Sequence, residues 1–355
     1  MHVMSGIAKQ FTNYWFNTSK NSYSLTLAEK EKINHTLRSI KVPKQVTRFC
    51  RVIEDRSHWK SREYENWILY YSIPVLSKIP RFFAYVDHWN LFVEAFYLLS
   101  QSIISKQDIL RADTLLKDFV ASTEELYSKS AMSYNVHQLT RLCQSVINWG
   151  PLQTHSEYPF ESYNGILVKH IHSAYGVIHQ ISRFVNMVHS EAIMYNTLQL
   201  SEKVKGCYEF LSNNVHGKFI KGTYAKYYGY SKPVEEEWIE NLNLSPGRTN
   251  SFKKIVKDGC LFSANVTARS DSSFAYTKDN QFIKIIKFIL DKENGHEYTV
   301  CKIINCESHI SSICNKIINV DDELVSVEAR LISGICVYVK DGDNCYLTKV
   351  PNLSH

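Results

Sequence analysis

Apolar residues recur at intervals of three and four along most of the first two hundred positions. From Asp87 to Ile104 they fall at Trp89, Phe92, Val93, Phe96, Leu99 and Ile103, the spacing of one helix face. Ile109 to Leu126 repeats the pattern with Leu115, Leu116, Phe119 and Val120, and Asp108 stands where an N-cap belongs. Leu25 to Ile40 predicts a third helix, with Thr26, Glu29 and Glu31 near its start. His58 to Leu76 predicts a fourth, ended by Pro74. The aromatic stripes on these segments read as helical core.

Between about 206 and 250 this periodicity dissolves. Lys221 to Pro233 is rich in Tyr, Gly and Lys, Glu235-Glu236-Glu237 follows, and Ser245-Pro246-Gly247 is a break signal, which together read as a linker with one short helix. From Ser251 the pattern changes to β-branched runs at Gly259–Thr267, Gln281–Leu290, Glu297–Asn305 and Leu331–Lys340. Turn signals separate them, such as Asp291 to Gly295 and Asp341 to Asn344. The expected fold class is α+β: a mostly α-helical N-terminal region (1–205), a linker (206–250), and a small antiparallel β barrel or sandwich (251–355).

Composition narrows the function classes. The chain is 44% hydrophobic and 21% charged, ordinary for a globular protein. Its formal net charge is +6, and residues after 250 hold 13 basic and 13 acidic side chains, so the whole excess sits in the first 250. A modest basic excess permits a polyanionic partner without requiring one. The nine cysteines form no CxxC pair, which argues against a disulfide framework and against a zinc ribbon or finger. They read as reduced core thiols of a cytosolic or nuclear protein. The start, Met1 to Gly6, lacks the pattern of a signal peptide. The most apolar stretch, Trp67 to Leu76, is interrupted by Ser72 and Pro74, so no membrane partner is expected.

The GxSxG, GxGxxG, P-loop and HExxH signatures are all missing. Glu161, in Pro159-Phe160-Glu161, reads either as a metal-binding carboxylate or as a first-turn glutamate favoured by the helix dipole. His155, His170, His172, His179 and His189 are scattered without an i, i+4 pair, which gives a metal cluster little support. The stretch Lys218 to Tyr230 is basic and aromatic. Lys218, Lys221 and Lys226 could meet phosphates while Tyr224, Tyr227 and Tyr228 stack on bases; the alternative is a solvated linker with scattered tyrosines.

Three segments resemble one family. They are HWKSREYENWILYYSIPVL from His58 to Leu76, HWNLFVEAFYLLSQSI from His88 to Ile103, and Met132 to Leu167, which includes YNVHQL, WGPL and PFESYNG. In this order the phrases are similar to the C-terminal half of the CACTA (En/Spm-type) DNA transposases. The resemblance is strong over residues 1 to about 190 and looser over the β-rich tail, where Phe252 to Ser263 resembles the start of the family's tail.

The resemblance implies a relationship to DDE nucleases with a ribonuclease-H-like core. In such enzymes two aspartates and a late glutamate hold two divalent metals about 3.5–4 Å apart across the reacting oxygens. By motif, Glu161 matches the third acid, and Met1-His2 matches the end of the Asp-x-Met-His signature. The second aspartate would then precede Met1 by two residues, with the first acid further upstream. One carboxylate of three cannot hold two Mg²⁺ ions. Relatives read HxxxH where this chain has His137 and then Arg141. A guanidinium repels zinc, and Cys143 is expected on another side of the helix. The implied chain is a remnant without a cofactor of its own. Mg²⁺ and Zn²⁺ belong to the intact family enzyme, and the implied location is nuclear, with cytoplasmic as the alternative. A domesticated DNA-binding module and a protein-interaction module are the competing readings.

Overall fold

A computed structural model describes residues 3–17, 21–48, 51–212, 219–308 and 312–352. The helices are α1 (Lys9–Phe16), α2 (Leu27–Ser39), α3 (Ser61–Asn66), α4 (Ser72–Leu76), α5 (Phe83–Leu99), α6 (Lys106–Leu126), α7 (Tyr134–Gln138), α8 (Leu142–Trp149), α9 (Tyr158–Lys169), α10 (Val177–Thr197), α11 (Glu202–Ser212) and α12 (Glu236–Asn241). The strands are β1 (Phe219–Lys221), β2 (Lys226–Tyr228), β3 (Lys232–Pro233), β4 (Thr249–Phe252), β5 (Lys254–Lys257), β6 (Cys260–Ser263), β7 (Phe274–Thr277), β8 (Phe282–Asp291), β9 (Glu297–Ser308), β10 (Cys314–Val320), β11 (Val325–Glu328), β12 (Ile332–Asp341) and β13 (Asn344–Lys349). The architecture is α+β, with helices first and a C-terminal antiparallel barrel after them.

Two compact units emerge, and they cut the chain differently from the sequence expectation. One joins 1–155 to 219–355; the other is 156–218. The stretch expected as a linker, 206–250, contains the end of α11, strands β1 to β3, helix α12 and the start of β4. The physical reason is pairing: β2 joins β5, and β3 joins β4. These short segments gain hydrogen-bond partners from residues that no local periodicity reveals.

In the larger unit, α1, α5 and α6 pack through aromatic rings. Trp15 meets Trp89 edge-on at 5.0 Å, and Phe11 meets Tyr127 edge-on at 5.1 Å. Two of the indoles find partners inside this core. Trp15 Nε1 donates to Tyr127 Oη at 3.0 Å, and Trp89 Nε1 donates to Ser72 Oγ at 2.9 Å. Two helix boundaries differ from expectation. Ser105, not Asp108, caps α6: its hydroxyl accepts the Asp108 N–H, and Asp108 returns the bond to the Ser105 N–H, a reciprocal capping box. Pro74 does not end its helix either. A π-helical turn at Trp67–Tyr71 re-registers the hydrogen bonds ahead of it, and α4 runs on to Leu76.

The barrel closes in the order β9, β10, β13, β12, β7, β8 and back to β9, antiparallel throughout. Strand β11 adds to β9, and β4 with β3 extend from β8. Both faces of the sheet are apolar, as a sheet covered on both sides requires. Ala275, Ile283, Ile335 and Val337 belong to the core shared with the helices. Phe274, Phe282, Ile304, Cys336 and Leu347 form a separate cluster.

Helices and barrel are joined by specific polar contacts. Lys78 Nζ donates to Asp341 Oδ1 at 2.6 Å, and Thr36 donates to the same oxygen. Gln45 Nε2 donates to the Leu261 carbonyl at 2.9 Å, and the Asp271 N–H donates to the Val42 carbonyl at 3.1 Å. The smaller unit consists of α9, α10 and α11. Among the described residues, no helix is long and apolar enough to cross a membrane.

Candidate nucleic-acid interface

Strands β1, β2, β5 and β6 form a second antiparallel sheet, in that order. Directly opposed residues of an antiparallel pair share a face, with Cβ atoms about 4.5–5.5 Å apart. The register therefore sorts the side chains. Ile220, Tyr227, Ile255 and Phe262 align across the four strands, and the last three are buried in the main core. On the opposite face Phe219 aligns with Tyr228 and Lys254, and Lys221 aligns with Lys226.

The turn that joins β1 to β2 is held by a buried carboxylate. Glu297, on β9, accepts the Tyr227 hydroxyl at 2.8 Å on Oε2. Its other oxygen accepts the backbone N–H groups of Thr223 and Tyr224. Burial, helped by the Glu297 charge, holds the Tyr227 phenol well above its ordinary range, so it stays a donor. Gly222 is required here for space: a Cβ would lie 2.5 Å from Glu297 Oε1 and 2.8 Å from the Tyr227 ring. The hairpin is thus positioned by a rigid barrel strand, and its outward face is presented in a fixed geometry.

That face is electropositive. Lys221 and Lys226 are exposed and lie directly opposite one another. Like charges in this position destabilise a sheet, and among the described residues no carboxylate pairs with either, or with Lys254. Lys226 Nζ lies 5.0 Å from the centroid of the Phe219 ring, a cation–π contact. Phe219, 42% exposed, packs its ring 5.5 Å from Tyr228. Tyr224 on the turn and Tyr230 just beyond β2 are both exposed. Cationic side chains interleaved with accessible rings suit a flexible polyanion with stackable bases.

The structure separates the residues that the sequence grouped together. Lys221, Tyr224 and Lys226 stand on or beside this face, exposed. Tyr227 does not: it is 1% exposed and bonded to Glu297, so its ring is core and cannot stack on a base. Tyr228 is on the correct face, but it is only 8% exposed under Phe219 and contributes packing. Lys218 lies outside the described residues, as do Met1, His2 and Cys50. The sequence reading missed Phe219, which lay inside the quoted stretch, and Lys254, which only strand register brings beside Tyr228.

The transposase-type positions fall on different elements. Glu161 sits in the first turn of α9, exposed, with its N–H donating to the Glu157 carbonyl at 3.0 Å. His137 is exposed at the end of α7, and a 3₁₀ turn, Leu139–Arg141, separates that helix from α8. His137 and Arg141 are thus not successive turns of one α-helix. Cys143 is buried, and burial pushes its thiol up to about 11, as suits an inert core residue. Among the scattered histidines, His170 stacks on Phe184 at 3.9 Å. Among the described residues no group of three His, Cys, Asp or Glu side chains could hold a metal ion. Comparison with protein-family models, curated proteins and solved structures returns no match to this chain.

Proposed function

We propose that this chain is a transposon-derived nucleic-acid-binding protein, resembling the C-terminal part of a CACTA-type DDE transposase and lacking nuclease activity of its own. The strand is held on the outward face of the β1–β2–β5–β6 sheet. One observation carries the binding reading: Lys221 and Lys226 face each other across the strands, exposed and, among the described residues, without a carboxylate partner. Two opposed like charges, offset only in part by the Lys226–Phe219 cation–π contact, are compensated by a bound anion. The exposed ring of Phe219, in contact with Lys226, supplies stacking surface beside the charges. The inactive reading rests on Glu161 as the single acid matched by motif.

The test is fluorescence anisotropy of a labelled single strand, titrated with the full chain over a range of salt. Affinity should fall linearly on a log–log plot. The double substitution Lys221→Glu/Lys226→Glu should weaken binding at least tenfold and flatten the salt slope by about 1.4, two phosphate contacts' worth for a single strand. Absence of binding at low salt, or a double variant that binds as tightly as the parent, would overturn the reading. Incubation of a duplex with Mg²⁺ or Mn²⁺ should give no cleavage; cleavage abolished by Glu161→Ala would overturn the inactive assignment.

A further inference from the structure

Helix α10 is amphipathic, yet among the described side chains of residues 156–208 not one is buried. Its neighbours cover one side only: Phe184 stacks on His170, and Tyr195 stacks on Tyr208 at 4.2 Å. A second stripe of α10 is left open. It runs through Arg183, Met187, Glu191 and Met194, each three or four residues from the next and hence on one face; Gln180, one turn earlier, is tied to the His172 N–H and to the Ser173 and Tyr175 carbonyls and lies outside it. Met187 and Met194 are 59% and 51% exposed. Most helical stability in proteins comes from packing of an amphipathic face, and this stripe has no cover among the described residues.

The stripe itself indicates the cover. Arg183 and Glu191 lie four residues to either side of Met187. A two-fold axis at Met187 would place Arg183 of one helix against Glu191 of the other, twice over, and Met187 against its own copy. These are the only two formal charges in α10, of opposite sign, and neither pairs within the described chain. A parallel arrangement would set Arg183 against Arg183, which is repulsive. Residues 156–218 as a whole hold five basic and five acidic side chains, so a polyanion gains nothing here and a second identical unit is not repelled. We infer that α10 pairs antiparallel with α10 of a second copy of this chain, an isologous two-fold contact centred on Met187. The methionines suit it, as flexible, polarisable side chains that fill an imperfect seam.

Sedimentation equilibrium of the full chain tests this independently of any nucleic acid. A concentration-dependent monomer–dimer equilibrium is expected. Arg183→Glu and Glu191→Arg should each weaken the dimer about tenfold, because two symmetric pairs change sign at once. The combined variant should restore dimerisation, since the exchanged charges attract again. Met187→Lys should leave only monomer, with unchanged helical circular dichroism. A chain that stays monomeric at all concentrations, a dimer indifferent to either reversal, or a double variant no better than the singles would overturn the inference. Failure of strand binding by Lys221→Glu/Lys226→Glu, with dimerisation intact, would bear on the proposed function alone.

Discussion

Helices α6 and α10 are both 21 residues long, and both alternate apolar and polar faces. Their fates differ. Helix α6 buries Ala112, Leu116, Phe119, Val120 and Thr123, whereas α10 buries nothing. Their starts differ too: Ser105 caps α6 through a reciprocal box, while α10 follows Gly176 in the left-handed region (φ 64°) with no side-chain cap. Helix α6 is also fixed from outside, because His88 on α5 stacks on Phe119 at 4.2 Å and its Nε2–H donates to the Phe119 carbonyl at 2.9 Å. Amphipathic period marks a face that wants cover. Whether cover arrives depends on what the rest of the chain brings to it.

The largest effect expected from this contrast is in α6. Phe119→Ala should cost about 3–5 kcal/mol in chemical denaturation, the range for emptying a buried aromatic site. Phe184→Ala in α10 should cost far less in the same measurement; an equal loss would break the comparison.

Acid should act on the larger unit next. Burial depresses the His88 imidazole to about 4 from its ordinary 6.5. The unfolded chain therefore takes up the proton first as pH falls. The stability that His88 contributes is complete above about 6.5 and lost progressively towards 4, up to roughly 3 kcal/mol. Denaturation midpoints across that window should fall more steeply for the parent than for His88→Gln, and parallel profiles would refute the assignment.

A smaller effect separates the two helix starts. Ser105→Ala should destabilise by about 1 kcal/mol, the usual cost of losing an N-cap hydroxyl. Hydrogen exchange should then show faster opening at the start of α6, with no change in α10. Smallest of all, Glu161→Ala should shift the denaturation midpoint by less than about 1 kcal/mol, the scale of a first-turn dipole contact. A shift several times larger would mean that Glu161 has a partner in solution that α9 does not display.

The chain's legibility varies with the range of the interaction. The aromatic stripes of α5 and α6 were visible because the core they enter follows from spacing within one segment. The hairpin around Glu297 was not. Tyr227 and Tyr228 are adjacent and equally aromatic. One points into the core to reach a carboxylate seventy positions later, and the other packs under Phe219. Reading both as base-stacking residues ignored the period-two alternation that a strand imposes. Lys254 illustrates the same limit, since its place beside Tyr228 exists only through the β2–β5 register.

By itself the sequence determined the α+β order, the aromatic helices of the first 126 residues, the β-rich end and the confinement of excess positive charge to the first 250 positions. These follow from local preference and short-range period, which act before any distant contact forms. Only the tertiary structure decided that residues 219–250 contribute paired strands to the larger unit, that six strands close into a barrel, and that α10 keeps an open face. Each of those outcomes depends on pairing or burial between segments far apart in the chain. A hydrogen bond or an apolar contact has no sequence signature until its partner is in place.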